Sequence, residues 1–525
     1  MANELHYGDN LDVLRESVAD ESVDLVYLDP PFNSNASYNV LFKAPGGDGS
    51  AAQIEAFDDT WHWNEAAERA FDAVMTGPNS QAALLLRAMR QALGDNDMMA
   101  YLAMMSVRLL ELHRTLKPTG SLYLHCDPVA SHYLKLLLDS IFDVRNFRNE
   151  ITWKRSAAHN DGNRWGRNAD IVFFYSKSEV WTWNPQYEAY DATYLKRFRN
   201  ADPDGRKWMD DNATAKGLMG GGYDYEYKGS RSLWRFPPAT MKRLDSEGRL
   251  HFTKTGGIRL KRYLDEAKGH LAQSVWDDIP PINSRAAERL GYPTQKPLAL
   301  LERIVAASSN PGDVVLDPFC GCGTTIHAAQ KLKRKWIGID VTHLAIALIE
   351  RRLKEAFPRA RYDVHGVPRD AEGARDLAER DKHEFQKWIV ATVGGQPYRG
   401  GKKGMDRGID GYLHFRDDSN ASQFAVVSVK GGTMKSGDVR DLKGTMEREG
   451  APLGVFLALR EPTREMEREA ASAGLYESGG RKFARIQILT AADVIEGKRP
   501  LVPFGHVESL RRAKGEIEEE QDELF

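Results

Sequence analysis

A short glycine-rich turn between an apolar strand and a helix restricts the fold of this chain more than any other segment. Residues 314–316 predict the strand, residues 317–324 (Asp-Pro-Phe-Cys-Gly-Cys-Gly-Thr) the turn, and residues 325–332 the helix. Glycines there let a ligand approach the backbone, and the helix N-terminus supplies free N–H groups. The next strand ends at Asp340, whose carboxylate can accept hydrogen bonds from a ribose diol. This pattern predicts a doubly wound α/β sheet with a nucleoside site, whereas the turn alone would equally suit a tight structural loop.

A second strand-end motif lies near the start of the chain. Residues 23–28 predict a short apolar strand, and Asp29-Pro30-Pro31-Phe32 follows it. The two prolines fix the backbone, so the Asp29 carboxylate and the Pro30 carbonyl can face one point. Two acceptors beside an aromatic ring form a site for an amino group on a planar ring. The alternative is a rigid turn with no ligand.

Composition excludes several classes of protein. The 11 Trp, 20 Phe and 19 Tyr carry too much apolar surface for a disordered chain. No apolar run reaches the roughly 18 residues of a membrane span, and the first residues lack the pattern of a signal peptide. The three cysteines (Cys126, Cys320 and Cys322) match neither a disulfide framework nor zinc spacing. We therefore expect a cytoplasmic protein that makes no contact with membranes.

Several blocks in a fixed order resemble the β group of amino DNA methyltransferases. The Asp-Pro-Pro-Phe block and the Phe319-x-Gly321-x-Gly323 turn are two of them. The others are residues 8–10, 116–123, 168–178 and 291–297. The resemblance covers roughly residues 1–43, 100–178 and 290–357, and it places the catalytic block before the cofactor block. It implies a class I S-adenosylmethionine-dependent methyltransferase fold, a Rossmann-like doubly wound sheet with permuted motif order.

The resemblance also implies how the cofactor is held. Phe319, Gly321 and Gly323 would pack against the methionine part of S-adenosylmethionine, within a turn that also contains Asp317 and Thr324. Asp340 would take the ribose and Asp9 the adenine amino group. Thr294 and Lys296 would border the methionine end.

The implied reaction is methylation of an exocyclic amino group on a base flipped out of double-stranded DNA. Phe32 would stack on the base, while Asp29 and the Pro30 carbonyl would hold its amino group during direct in-line transfer. Cytosine-C5 chemistry needs a cysteine after a proline, and Cys126 fits no such motif. Asp at the first motif position favours adenine N6, and cytosine N4 is the alternative.

The middle of the chain is basic and rich in tryptophan. Residues 151–297 hold 25 Lys and Arg against 18 Asp and Glu, with seven of the 11 tryptophans. Such a mixture suits a surface that contacts phosphates and stacks on bases, and it equally suits an aromatic core with a solvated basic face. We interpret residues 151–290 as the target-recognition region. Lys154, Arg155, Arg164 and Arg167 are candidate phosphate contacts.

The C-terminal part resembles the Mrr-like branch of the PD-(D/E)xK nuclease fold, a second, smaller α/β domain. Asp410 and Lys430 are predicted at adjacent strand ends of a hairpin, where Asp410 would hold Mg²⁺ and Glu384 would assist. The usual acidic residue two positions before the lysine is Ser428 here, which weakens a site for a hard cation. We therefore expect DNA binding rather than cleavage, with a combined restriction-modification enzyme as the alternative.

The predicted domains follow from these blocks. They are a catalytic domain (1–150 and 291–357) with a helical insertion (44–98), a target-recognition region (151–290), a linker (358–380), a nuclease-like domain (381–505) and an acidic tail (506–525). In the tail, Gln521, Leu524 and Phe525 resemble a peptide that docks on the bacterial sliding clamp. Homodimers are frequent among β-group enzymes, so a homodimer is a further expectation.

Overall fold

A computed structural model describes most of the chain. The described residues are 2–31, 39–40, 54–55, 62–156, 163, 165–215, 221–283, 286, 288–290, 292, 294–398, 408–419 and 421–503. Phe32, Arg164 and the tail with Gln521, Leu524 and Phe525 lie outside them. No helix in these described ranges is long and apolar enough to cross a membrane.

The first 142 residues contain both strands and helices. The elements are β1 (Glu4–Tyr7), α1 (Asn10–Ser17), β2 (Val23–Leu28), β3 (Asn39–Val40), β4 (Ile54–Glu55), α2 (Glu65–Met75), α3 (Ser80–Leu93), α4 (Asp97–Thr115), β5 (Leu116–Cys126) and α5 (Ser131–Phe142). Among the described residues, three consecutive helices lie between β4 and β5. Helix α4 is buried on most of its surface because it packs beneath the sheet with α2, α3 and α5.

The middle of the chain contains many short strands. The elements of this region, two of them helices, are β6 (Phe147–Lys154), β7 (Ala169–Ser176), β8 (Tyr187–Glu188), α6 (Ala192–Leu195), β9 (Asn200–Ala201), β10 (Lys207–Asn212), β11 (Tyr223–Tyr227), β12 (Ser230–Trp234), α7 (Pro238–Ser246), β13 (Leu250–Phe252), β14 (Ile258–Tyr263), β15 (His270–Leu271) and β16 (Val275–Trp276). Residues Pro185–Gln273 form a compact unit of their own, whose core includes Trp234, Met241 and Ile258.

The target-recognition region predicted at 151–290 is therefore wider than this unit. Strands β6 and β7 pair with each other and extend the main sheet beyond β5, and β16 adds to β6. The sequence did not reveal that β6 and β7 belong to the main sheet, because antiparallel strands can be joined without a crossover helix. The alternation of strands and helices along the chain therefore stops while the sheet continues.

The α/β order returns after residue 297. The elements are α8 (Leu298–Ser308), β17 (Val314–Asp317), α9 (Thr324–Lys331), β18 (Lys335–Asp340), α10 (His343–Ala356) and β19 (Asp363–His365). Strands β16, β6, β7, β5, β2, β17, β18, β1 and β19 form one sheet in that order. Strands β5, β2, β17, β18 and β1 run parallel, and the chain leaves β17 in one direction and β2 in the other. This is the doubly wound α/β fold with its switch point between β17 and β2.

The C-terminal part forms a second sheet with its own hydrophobic core. Its elements are α11 (Ala371–Arg380), α12 (Lys382–Thr392), β20 (Gln396–Pro397), β21 (Gly411–Arg416), β22 (Ser422–Lys430), α13 (Ser436–Glu449), β23 (Leu453–Ala458), α14 (Arg464–Ser472), β24 (Leu475–Ser478), β25 (Arg481–Ala484), β26 (Ile486–Thr490) and α15 (Ala491–Ile495). Strands β21 and β22 are the predicted hairpin. The stretch 358–380, expected to be a linker, contains β19 and α11 instead.

Candidate active site

Four aspartates lie at the same edge of the large sheet. Asp29 follows β2, Asp317 ends β17, Asp340 ends β18, and Asp9 follows β1. These four strands are neighbours and run parallel, so their carboxyl ends meet at one edge. The edge is also the switch point of the fold, the usual position of a ligand site in such sheets. Motifs separated by about 300 residues in sequence are thus brought together.

A cavity of about 240 Å³ opens between these strand ends. Of the predicted site residues, its lining includes Asp9, Asp29, Pro31, Thr294, Lys296, Asp317, Phe319, Gly321, Thr324 and Asp340. Gly323 and the buried Pro30 are not in the lining. Asn10 and Tyr292, from the predicted blocks 8–10 and 291–297, also line it, as do Tyr27 and Arg108, to which the sequence analysis gave no role.

The glycine turn has two different reasons for its glycines. Gly321 has φ +48°, and a Cβ there would lie 3.4 Å from the Tyr292 ring across the cavity wall. Gly323 has φ +72° and begins α9, and a Cβ there would lie 2.7 Å from Cγ1 of Ile349. Gly321 thus allows the left-handed backbone of the turn, while Gly323 allows the start of α9 to pack against Ile349 of α10.

Asp340 organises the loops around it. Its Oδ2 accepts a hydrogen bond from the Gly321 N–H (2.9 Å), and its Oδ1 accepts from the Thr342 N–H (2.9 Å) and hydroxyl (2.8 Å). A carboxylate offers about four acceptor positions, so three are occupied by the protein. Burial raises the pKa of Asp340. Protein donors thus take up most of the acceptor positions of this carboxylate.

Asp9 is held by an arginine that sequence reasoning missed. Arg108 Nη2 donates to both carboxylate oxygens of Asp9 (2.9 and 3.1 Å), and Arg108 Nε donates to Oδ1 of Asn10 (2.6 Å). The amide of Asn10 in turn donates to the Pro318 carbonyl (2.8 Å), which links this loop to the glycine turn. The available signal was Arg108, a charged residue amid the apolar residues of α4, which suggests a buried ion pair.

Asp29 combines a partnered and an unpartnered oxygen. Lys296 Nζ donates to Oδ2 of Asp29, so the lysine expected at the methionine end lies on the catalytic motif. Within the part of the chain that the structure describes, the buried Oδ1 has no hydrogen-bond partner. An unsatisfied buried acceptor costs free energy and points to a donor supplied by a ligand.

Asp317 is fully buried beneath the turn. Its Oδ1 accepts from the Phe319 N–H (3.0 Å), and burial raises the pKa of Asp317 to about 7, with a smaller rise from the nearby charges of Asp29 and Asp340. This carboxyl group is therefore partly protonated near neutral pH. Beside it, the Tyr27 hydroxyl hydrogen-bonds to Nδ1 of the buried His125 (3.0 Å), which closes the floor of the cavity.

The tryptophans of the middle region divide between the two predicted roles. Trp153, Trp208, Trp234 and Trp276 are buried, as an aromatic core requires. In contrast, Trp165 is 96% exposed and Trp183 is 49% exposed. Any stacking role therefore falls to a minority of them.

The predicted nuclease pair lies at adjacent strand ends, and protein groups occupy both side chains. Asp410 accepts from the Gln386 amide (3.0 Å) and from the Val429 N–H (2.6 Å), and Lys430 Nζ lies 3.4 Å from Oδ1 of Asp438. Among the described residues, the grouping of three potential metal-ligating side chains does not include Asp410. Glu384, the expected helper, contacts Tyr7 instead.

The family of the chain follows from a comparison with family models. Residues 23–351 match the model described as DNA methylase, a family of N6 and N4 enzymes. The chain belongs to the DNA methylase family. Residues 382–496 of this methylase match the model described as NACHT-associated inactive Restriction Endonuclease 1, which agrees with the predicted nuclease-like fold and with the serine at position 428.

Curated relatives of the methylase include restriction-modification enzymes. The Type II methyltransferase M.EcaI of Enterobacter cloacae is 33% identical over 293 residues, which are 54% of this chain and 65% of that protein. The StyLTI Mod subunit of Salmonella typhimurium is 29% identical over 62% of this chain and 50% of its own. The DNA adenine methyltransferase YhdJ of Escherichia coli is 49% identical over 83 residues, 16% of this chain and 28% of that one. The chain thus spans less than two thirds of each of these relatives.

Solved structures also resemble the methylase. A DNA modification methylase of Thermus thermophilus, TTHA0409, solved in complex with S-adenosyl-L-methionine, covers 69% of this chain with 99% of its own length. The two share 19% sequence identity, and the TM-score is 0.34.

Proposed function

We propose that this DNA methylase transfers a methyl group from S-adenosylmethionine to the N6 amino group of an adenine flipped out of double-stranded DNA. The observation that carries the proposal is Oδ1 of Asp29, a buried acceptor without a protein partner among the described residues, beside the cavity. An exocyclic amino group supplies the hydrogen-bond donor that this oxygen lacks. The base has to leave the duplex, because its amino nitrogen cannot reach a methyl donor within the stack.

The lining of the cavity fits the proposed cofactor. Asp340 lines the cavity and would accept from a ribose hydroxyl, Asp9 lies at the neighbouring strand end, and Phe319 and Leu301 provide apolar contact. Gly321 lines the cavity without a side chain, so its backbone is within reach of a ligand. When bound, S-adenosylmethionine supplies an electrophilic methyl group. The protein contributes position and electrostatics around it.

Asp29 is the proposed catalytic residue. Its ion pair with Lys296 fixes the side chain, so Oδ1 can accept one amino hydrogen and hold the nitrogen lone pair towards the methyl group. The Pro30 carbonyl would accept the second hydrogen, and Phe32 would stack on the base. Bound S-adenosylmethionine would supply the methyl group for direct transfer to this nitrogen, which would afterwards lose one of the two hydrogens held by Asp29 and the Pro30 carbonyl.

Adenine is preferred over cytosine because of the Asp in the motif and because a relative at 49% identity is named a DNA adenine methyltransferase. Cytosine N4 is the second candidate, since two acceptors and an aromatic face would hold its amino group in the same manner. The unit Pro185–Gln273 is the proposed core of target recognition.

Single-molecule sequencing of DNA from cells that express the protein tests this function. We expect N6-methyladenine at one short motif with the wild type and its loss with Asp29→Ala. The isosteric Asp29→Asn should lower kcat by about 10²-fold to 10³-fold, because it removes the charge at the amino group. Glu16→Gln, an exposed carboxylate on α1, is the matched control. N4-methylcytosine at the motif would show that cytosine, not adenine, is the target base. Full activity of Asp29→Ala would contradict the mechanism.

A further inference from the structure

One carboxylate of the nuclease-like domain is bound by the catalytic domain. The Tyr7 hydroxyl donates to Oε2 of Glu384 on α12 at 2.5 Å, and Nε2 of His343 lies 3.4 Å from the same oxygen. Lys387 Nζ donates to Oε1 of Glu384 at 2.6 Å. The rings of Tyr7 and His343 stack with centroids 3.8 Å apart and planes 11° apart. The glutamate therefore has a partner on each side.

The two partners from the catalytic domain adjoin the cavity. Tyr7 is the last residue of β1 and precedes Gly8, Asp9 and Asn10, which line the cavity. His343 is the first residue of α10 and follows the lining residues Asp340, Val341 and Thr342. The two loops are also joined directly, because the Gly8 N–H donates to the Asp340 carbonyl at 3.0 Å.

The charge of Glu384 is maintained at this position. Its side chain is 26% exposed, and the contact with His343 together with hydrogen bonds from Lys387 and Tyr7 holds its pKa far below the usual range against the effect of burial. Burial and the same carboxylate raise the pKa of Tyr7, so the phenol stays protonated and donates. A charge-assisted hydrogen bond of this kind is among the stronger contacts in proteins.

Helix α12 has separate surfaces for the two domains. Phe385, Trp388 and Ile389 are buried in the core of the nuclease-like domain, whereas Glu384 points to Tyr7 and His343. Gln386 takes the role of binding Asp410. Glu384, which was expected to assist a metal site of the nuclease-like domain, thus contacts the methylase domain instead.

We infer that Glu384 is a positioning residue for the cofactor site, through which the nuclease-like domain fixes the two loops that carry Asp9 and Asp340. This inference rests on the proposed binding of S-adenosylmethionine in the cavity. The nuclease-like domain is on this account a structural part of the methyltransferase site. Its role there needs no cleavage of DNA.

Isothermal titration of the full chain with S-adenosylmethionine, without DNA, tests the inference. Glu384→Ala and Tyr7→Phe should each raise Kd about tenfold. This corresponds to losing part of the free energy of one charged hydrogen bond, because the contact is only partly coupled to binding. The double variant should bind no more weakly than Glu384→Ala, since both changes remove the same contact. Glu384→Gln, which keeps an acceptor for Tyr7, should recover most of the affinity.

Steady-state kinetics separate positioning from general damage. The KM for S-adenosylmethionine should rise together with Kd, while kcat at saturating cofactor and the KM for DNA stay at the wild-type values. Glu379→Gln, an exposed carboxylate on the preceding helix α11, is the matched control and should bind like the wild type. If Glu384→Ala does not fold, Tyr7→Phe carries the test, because it removes one hydroxyl only.

Wild-type affinity in both Glu384→Ala and Tyr7→Phe would overturn the inference and leave the proposed function intact. A fall of kcat in both variants with an unchanged Kd for S-adenosylmethionine would also overturn the inference. The proposed function fails in a different manner, namely if the wild type itself binds no S-adenosylmethionine or if Asp340→Ala binds it normally.

Discussion

Arg108 and Asp9 are joined by an ion pair at 2.9 Å in which the two partners differ in exposure. The arginine side chain is 5% exposed and the aspartate side chain is 48% exposed. A charge left alone in a buried place costs much more free energy than one left in contact with water. The stability of the cofactor edge therefore depends more on the presence of Asp9 than on that of Arg108.

Asp9→Asn should accordingly destabilise the protein more than Arg108→Met. The asparagine keeps the cap on α1, where Asp9 accepts from the Leu11 N–H (2.8 Å), and strands the arginine charge, at a cost of about 3 kcal/mol. Arg108→Met leaves a half-exposed carboxylate and should cost about 1 kcal/mol. Urea unfolding measures both, and the double variant should be more stable than Asp9→Asn alone. The reverse order of the two single variants would contradict this account.

The buried Asp317 should make stability fall as pH rises. Its pKa is raised to about 7, so between its ordinary pKa and about 7 the folded state binds more protons than the unfolded state. The free energy of unfolding therefore declines with pH across this window, by ~4 kcal/mol at most. Asp317→Asn cannot ionise and should lose this component. Urea unfolding of both proteins at the two ends of the window measures it, and parallel pH profiles would refute the assignment.

We predict that a cluster of exposed basic residues in the unit Pro185–Gln273 contacts DNA phosphates, in addition to the candidates Lys154, Arg155, Arg164 and Arg167 named from the sequence. Lys196, Arg197 and Arg199 follow α6, and no ion pair is found for them among the described residues. Most other arginines of the unit are paired, such as Arg206 with Asp265 and Glu266. Tyr190 and Tyr194 stack beside the cluster at 4.4 Å.

Replacing the three basic residues by alanine should weaken DNA binding on all sequences alike. The slope of log K against log salt should fall by roughly one unit for each contact that is lost. Fluorescence anisotropy at several salt concentrations measures this, with Arg231→Ala, whose charge is paired with Asp224, as the control. An unchanged slope would place the phosphate contacts elsewhere.

The nuclease-like domain should not cleave DNA in the presence of Mg²⁺. Asp410 is already bound by Gln386 and Val429, and Ser428 stands where a carboxylate would hold the ion. Incubation of unmethylated plasmid with the protein and Mg²⁺ should leave it intact, with a commercial restriction enzyme as the positive control. Cutting that disappears in Lys430→Ala would show an active nuclease.

Much of the fold was predictable because its signals are local. The strands predicted at 23–28 and 314–316 and the helix predicted at 325–332 lie where the sequence placed them to within one residue, since an element of this kind depends on its own residues. Local signals are less informative about which strands pair. The region predicted for target recognition, 151–290, includes strands of the main sheet as well as the compact unit Pro185–Gln273. Strand β7 joins the main sheet by pairing with β5, and β6 joins it by pairing with β7. The residues of a strand do not by themselves specify which strand it pairs with.

The sequence by itself determined that aspartates end the strands and that glycines form the turn, because strand ends and turns are set by neighbouring residues. Only the tertiary structure decided which side chain each aspartate meets. Arg108 reaches Asp9 across 99 residues, Lys296 reaches Asp29 across 267, and Glu384 reaches Tyr7 across 377. Such contacts depend on how the sheet orders its strands and where α12 packs, and no local pattern specifies either.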